Sequence, residues 1–121
     1  MAEVTCEIKM RLPSLNDFIY ANRANRYVGA KMKKDVQAEI STFISNLPHF
    51  DKPVTIDFLW IEKTGRRDLD NVGFGKKFIL DALVERGILT DDSPKYVVGF
   101  TDTFEKGKEN RVIITIKEVS E

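Results

Sequence analysis

The sequence predicts an α/β or α+β fold in which a mixed four-stranded sheet carries two main helices on one face. Three observations lead to this prediction. Apolar residues alternate with period two in four stretches, they recur at helical spacing in two others, and the elements follow in the order strand, helix, strand, helix, strand, strand. A chain of 121 residues can bury one core and is too short for two, so we expect a single domain over residues 1–121.

Charge and cysteine usage narrow the classes of partner. The formal net charge is zero, so the total does not indicate a nucleic-acid partner. Up to Lys34, however, seven lysines and arginines stand against three acids, and this excess could form one basic surface. The lone cysteine, Cys6, excludes an internal disulfide. With no signal peptide and no membrane-spanning apolar run in the sequence, we expect a cytoplasmic protein with no membrane partner.

The first strand is predicted from Thr5 to Leu12, where Cys6 and every second residue after it are apolar and face inward. Cys6 is then a small core residue. Residues 15–29 are polar and lack a sustained period, which predicts a loop with at most a turn of helix. The length of this segment favours a working loop, and a solvated surface loop is the open alternative.

An amphipathic helix is predicted from about Lys31 to Leu47, with Pro48 closing it. Its first turn would then carry Lys31, Lys33 and Lys34 against the positive end of the helix dipole. A phosphate partner would relieve this repulsion, although three solvated lysines need no partner. His49 lies beside Pro48 in a predicted turn, and we do not expect it to be catalytic.

The remaining elements follow from alternation and turn residues. Residues 54–61 are predicted as a central strand with both faces partly covered. A helix is predicted from near Gly75 to Arg86, with Gly87 as its C-terminal cap. Residues 96–104 and 111–119 are predicted as strands that pair in an antiparallel hairpin around a turn containing Gly107.

Two acidic segments suggest a metal site. Asp68 and Asp70 would point the same way if the backbone were extended there, and Asp91 and Asp92 follow the next helix. A helix that reverses the chain could bring the two segments together. Because the chain has one histidine, oxygen ligands and a hard ion, Mg²⁺ or Mn²⁺, are expected. The preceding Arg66 and Arg67 indicate an anionic substrate, and a nearby lysine would stabilise the charge that develops on it.

These residues resemble the RusA family of Holliday-junction resolvases, which phages and prophages often carry. The resemblance lies in the Arg-Arg-Asp-Leu-Asp-Asn segment at 66–71, in Lys77 four residues before Asp81, and in the Asp-Asp pair at 91–92. It extends over essentially the whole chain and implies a RusA-like fold. It also implies a homodimeric, Mg²⁺-dependent endonuclease that makes paired, symmetric nicks in four-way DNA junctions.

The resemblance also implies roles for individual residues. Asp68, Asp70 and Asp92 correspond to the three essential carboxylates, Asp91 is the acidic neighbour of the third and a further candidate metal ligand, and Lys77 is the catalytic lysine. The link after Asn71 is longer here than in the family pattern. If the family pattern is aligned on Asp81, its catalytic lysine matches Lys77. If it is aligned on Asn71, that position matches Phe74, and Lys76 is an intermediate possibility.

The candidate DNA-binding side chains are the basic residues of the amino-terminal third and those around the motif. They are Arg23, Arg26, Lys31, Lys33, Lys34, Arg66, Arg67 and Lys76. Two other functions remain open at this point. One is a catalytically inactive module that binds junctions or other DNA, and the other is a metal-dependent nuclease acting on other branched DNA or on RNA.

Overall fold

The computed structural model describes residues 3–64 and 68–119. Its elements are β1 (Glu3–Ile8), α1 (Leu15–Ala24), α2 (Arg26–Ile44), β2 (Val54–Glu62), α3 (Leu69–Gly73), α4 (Lys76–Glu85), β3 (Val97–Lys106) and β4 (Arg111–Glu118). The mixed α and β fold with four strands in one mixed sheet is confirmed. No helix in the described part of the chain is long and apolar enough to cross a membrane.

The sheet has the strand order β1-β4-β2-β3. β4 pairs antiparallel with both β1 and β2, and β2 pairs in parallel with β3. The central position predicted for β2 is therefore confirmed. The predicted hairpin is wrong, because β3 and β4 lie on opposite sides of β2.

The connection from β3 to β4 explains this error. It passes over the end of β2, where the Gly107 N–H donates to Glu62 O (3.0 Å) and the Lys63 N–H donates to Asn110 Oδ1 (2.8 Å). A Cβ atom at position 107 would come within 2.4 Å of Ile61 Cγ2, so only glycine fits there. A short polar segment with one glycine looks the same in sequence whether it turns back or crosses a strand end.

The core lies between the sheet and the helices α2 and α4 on its covered face. Every second residue of β2 from Val54 to Trp60 is at most 1% exposed, as the alternation predicted. β4 adds Val112, Ile114 and Ile116, α2 adds Ile40 and Ile44, and α4 adds Phe78, Ile79, Ala82 and Leu83. The same apolar burial fixes both the register of the strands and the face that each helix presents.

The segment predicted as a loop is mostly helix. α1 begins with a reciprocal capping box, in which the Asp17 N–H donates to Ser14 Oγ (3.1 Å) and the Ser14 N–H donates to Asp17 Oδ2 (2.9 Å). Only Ala21 of this helix is buried, and besides the cap the sequence signal was the helical spacing of Leu15, Phe18 and Ile19.

α2 begins earlier than predicted, at Arg26, and ends earlier, at Ile44. Asn25 caps it by accepting a hydrogen bond from the Tyr27 N–H at 2.7 Å. The three lysines at 31, 33 and 34 therefore lie beyond the first turn, and the predicted repulsion with the helix dipole does not arise, because that effect is confined to the terminal turn.

Candidate active site

Asp68 and Asp70 stand where the chain leaves the end of β2 and begins α3. Asp68 is the N-cap residue and makes no capping hydrogen bond to the helix, while Asp70 lies in the first turn. The backbone is extended at Asp68 but helical from Leu69 to Gly73, so the condition under which the two side chains would point the same way is not met. Both side chains are exposed, and the Asn71 N–H donates to Asp70 Oδ1 at 3.0 Å. Both carboxylates therefore lie at the start of one helix and face solvent.

A cleft of about 440 Å³ opens beside Asp70, between α3, the start of α4 and β3. We name it the Asp70 cleft. It is lined by Leu69, Asp70, Gly73, Phe74, Lys76, Asp102 and Phe104. It lies on the helix-covered face of the sheet, because Asp102 and Phe104 of β3 pair in register with the buried Phe58 and Trp60 of β2.

An ion pair crosses this cleft. Lys76 Nζ lies 2.7 Å from Asp102 Oδ2, and the Trp60 indole N–H donates to Asp102 Oδ1 at 2.9 Å. The ammonium also lies 5.4 Å from the ring centroid of Phe58 and 4.8 Å from that of Phe100. Sequence reasoning missed Asp102. The available signal was an acid between two phenylalanines on the inward alternation of β3.

Lys77 lies in a different place from Lys76. Successive residues of a helix point about 100° apart. Lys77 is exposed and contributes to a second cleft of about 450 Å³, the α1 groove, whose lining is Leu15, Phe18, Ile19, Asn22, Arg23, Phe74 and Lys77. Phe74 separates the two clefts and packs on Phe18, with ring centroids 5.6 Å apart. The lysine that shares a cleft with Asp70 is therefore Lys76, the alternative to Lys77.

Asp91 and Asp92 lie at the other end of the sheet. They are exposed residues of the turn between α4 and β3. β2 and β3 are parallel, so Asp70 follows the end of one strand while Asp92 precedes the start of the other. β2 has nine residues, which span roughly 30 Å at about 3.3 Å per residue. The expected convergence of the two acidic segments within one chain does not occur, because α4 carries the chain back across the sheet.

The separation of the two acidic segments bears on metal binding by a single chain. Within residues 3–64 and 68–119, no group of three or more histidine, cysteine, aspartate or glutamate side chains is placed to hold a metal ion. A set containing Asp68, Asp70 and Asp92 would need side chains from more than one copy of the chain.

The family model described as endodeoxyribonuclease RusA matches residues 18–117. This stretch contains the acidic residues, both lysines and Asp102. The chain belongs to the RusA endodeoxyribonuclease family. No curated protein matches the chain in sequence.

The basic residues predicted to contact DNA divide into two groups in this RusA-family chain. Arg23, Arg26 and Lys34 are exposed on α1 and α2. The others described are held by acids: Lys31 lies 2.8 Å from Asp35 and Lys33 lies 3.3 Å from Asp81, while Lys76 pairs with Asp102. The hydrogen bond and charge of Asp35 raise the pKa of Lys31. Arg66 and Arg67 lie outside the described residues.

Cys6 and His49 lie apart from the Asp70 cleft. The Cys6 thiol donates to Phe43 O at 3.0 Å, and burial raises its pKa, as expected for an inward-facing residue of β1. His49 Nδ1 lies 2.6 Å from Gly87 O, where the two turns meet. Both contacts are structural.

Proposed function

We propose that the chain resolves four-way DNA junctions as a homodimeric, Mg²⁺-dependent endonuclease that makes paired, symmetric nicks. The observation that carries this proposal is that a chain of the RusA endodeoxyribonuclease family has Asp70 and Lys76 in one cleft, with Asp68 at the start of the same helix. A DNA phosphate bound in this cleft would meet both acidic groups and a cation.

The donor atoms suit a hard divalent ion. Asp68 and Asp70 offer carboxylate oxygens, and Mg²⁺ retains several water ligands, so two side chains from one end of the sheet are an adequate partial set. Asp92, with Asp91 beside it, would complete the set from a second copy. Bound there, Mg²⁺ supplies Lewis-acid chemistry and charge neutralisation at the scissile phosphodiester.

A second copy fits against the outer edge of β3. This strand forms one edge of the described sheet, and Val98 and Phe100 on it are 51% and 43% exposed. Exposed edge strands favour pairing with another chain. If two β3 strands paired antiparallel about a two-fold axis, the start of each would lie beside the end of the other.

That arrangement would join the two acidic segments. Leu69 lines a cavity with Phe104 and Lys106, so the start of α3 lies by the end of β3. Asp92 precedes the start of β3 by a few residues. Across the two-fold axis, Asp91 and Asp92 of one copy would therefore approach Asp68 and Asp70 of the other. The dimer would hold two equivalent sites, which matches the two equivalent strands of a junction.

Lysine and arginine side chains of the chain would stabilise charge at the phosphate and bind the DNA. Lys76 would face the phosphate from inside the Asp70 cleft and offset its developing negative charge. Arg23, Arg26 and Lys34 on α1 and α2 would contact the backbone of the junction arms, which supplies most of the affinity for DNA. The division between a partly buried cation for chemistry and exposed cations for binding follows from their positions.

A labelled four-way junction and a linear duplex, each incubated with and without Mg²⁺, test the proposal. We expect symmetric nicks in the junction alone and only with the ion. Asp70→Asn should remove nicking and leave junction binding largely intact, while Glu39→Gln, an exposed acid on α2, should behave as wild type. Nicking retained by Asp70→Asn would refute the role given to Asp70.

The same assays separate the two alternative functions. Binding by wild type without Mg²⁺-dependent nicking would identify an inactive DNA-binding module. Cleavage of flap DNA or RNA in preference to junctions would identify a metal-dependent nuclease with another substrate.

A further inference from the structure

We propose that Asp102 is a positioning residue for Lys76, and that together with the Trp60 indole it fixes the lysine ammonium beside Asp70. The inference rests on the proposed function, because it assumes that Lys76 is the cation that meets the DNA phosphate. It adds a residue of β3 to a site otherwise built from α3 and α4.

The carboxylate of Asp102 is fixed at both of its oxygens. Oδ1 accepts from the Trp60 indole and Oδ2 accepts from Lys76. Trp60 itself cannot move aside, since it is 1% exposed and its ring stacks on Phe58 and Phe104 with centroid distances of 5.5 and 6.4 Å. The core therefore sets the orientation of the carboxylate, and the carboxylate sets the position of the lysine.

The ammonium of Lys76 is held from several directions. A lysine side chain is a flexible four-carbon stem that normally samples many rotamers. Here the 2.7 Å contact with Asp102 is combined with the ring faces of Phe58 and Phe100, both close enough for cation–π attraction. The ammonium has three N–H donors, and Asp102 Oδ2 accepts one of them. Donors thus remain for a phosphate oxygen in the cleft.

A purely structural role explains this pair less well. The side chains of Lys76 and Asp102 are 22% and 28% exposed, so both charges are partly removed from water in an aromatic setting. A paired charge in such a place is seldom more stable than an apolar replacement. The inward neighbours of Asp102 along β3 are Phe100 and Phe104, so another apolar residue would suit the pattern. The pair also borders the cleft that contains Asp70.

The first test uses NMR and needs no nuclease activity. Trp60 is the only tryptophan, so the protein gives one indole N–H signal. Lys76→Met should shift this signal, because it removes the other partner of Asp102, and it should remove a slowly exchanging lysine ammonium signal. The matched control Lys77→Met should change neither. An indole signal in Lys76→Met that coincides with that of wild type would overturn the proposal.

The second test compares single-turnover nicking of a four-way junction with the Kd for that junction. Asp102→Asn should slow nicking by roughly 10- to 100-fold, the scale expected when a reacting group is misplaced, and change the Kd less than about twofold. Since Asp102 acts through Lys76, Asp102→Asn should slow a Lys76→Ala background no further. A wild-type rate in Asp102→Asn, or the same slowing in both backgrounds, would contradict the inference.

The two tests separate the inference from the proposed function. A wild-type chain that never nicks would refute the nuclease proposal, while the NMR comparison would still decide whether Asp102 holds Lys76. If Asp102→Asn does not fold, Trp60→Phe removes the indole donor to Oδ1 together with part of a buried ring, and in the folded variant it should lower the nicking rate without loss of junction binding. An unchanged rate in that variant would also contradict the inference.

Discussion

The two ends of the unit formed by β2, α3, α4 and β3 differ sharply. At the end of β2, Asp70 borders a cleft in which Lys76, Asp102 and an aromatic wall are already in place. At the start of β3, Asp91 and Asp92 lie in an exposed turn. One end therefore combines acids, a cation and aromatic rings in a cleft, and the other presents two exposed carboxylates in a turn.

This difference shows that residues grouped by a family motif need not be neighbours within one chain. The crossover through α4 separates the acids by the length of the sheet. A parallel pair of strands always places the residues that follow the first strand and those that precede the second at opposite ends. In the proposed dimer, the exposed acids at the start of β3 would therefore serve a second copy and not their own.

The largest expected effect is the loss of nicking when an acid at either end of the sheet is replaced. Asp92→Asn should lower junction nicking by at least about 100-fold, as far as Asp70→Asn, because each removes a charged ligand and several kcal/mol of charge stabilisation correspond to such a factor. Junction binding should be retained in both. A nearly wild-type rate in Asp92→Asn, measured by single-turnover assay, would confine the site to the end of β2.

The next largest effect is expected from a substitution at the edge of β3, where the proposed dimer would bring the two acidic segments together. Val98→Lys puts a charge on the exposed edge of β3, where it should disfavour strand pairing. We expect the dimer to dissociate at concentrations where wild type remains paired, and nicking to fall in proportion to the dimer that is lost. Sedimentation and nicking assays over the same concentrations measure both. A stable, active Val98→Lys dimer would place the interface elsewhere.

The third prediction contrasts the neighbouring lysines. Lys76→Ala should reduce the nicking rate by about 100-fold with little change in Kd, as for loss of one group that stabilises transition-state charge. Lys77→Ala should leave the rate within a few-fold, weaken binding, and lower the slope of log K against log salt by about one. Titrations at several salt concentrations separate the two. The reverse pattern would restore Lys77 as the catalytic lysine.

The smallest effect concerns stability away from both ends. A hydrogen bond from the Thr101 hydroxyl (2.6 Å), followed by the contact with Lys117 (2.9 Å), lowers the pKa of Asp57. A lowered pKa contributes stability above the ordinary value of 3.8, and that contribution is lost as the pH falls through the folded-state pKa. Asp57→Asn should therefore lose less free energy of unfolding in acid than wild type, with nicking unchanged at neutral pH. Equal acid sensitivity in chemical denaturation would contradict this.

Much of the fold could be predicted because buried apolar residues recur in the sequence with the period of a strand or a helix. The alternation in β2 and the helical spacing in α2 and α4 were read correctly, and α4 ends just before Gly87 as expected. The pairing of β3 could not be read, because the segment around Gly107 has the composition of a hairpin turn and instead crosses a strand end. α1 was missed although its capping box and the helical spacing of Leu15, Phe18 and Ile19 were available signals, because it is short and buries only Ala21.

The site was predicted in part for a similar reason. The motif identified the acids and two possible lysines, since these are local in sequence. It could not identify Asp102, whose contact with Lys76 depends on the parallel register of β2 and β3. Nor could it show that Asp70 and Asp92 lie at opposite ends, because that follows from the direction in which α4 crosses the sheet.

In the proposed dimer, each nuclease site would combine Asp68 and Asp70 of one copy with Asp92 of another. Mixed dimers of Asp70→Asn and Asp92→Asn chains separate the two contributions. In a mixed dimer one site would contain both substitutions and the other none, so random pairing should restore about a quarter of the wild-type sites. Mixing Asp70→Asn with Asp68→Asn, at the same end, should restore nothing. A mixture of the first pair as inactive as either variant alone would contradict the account.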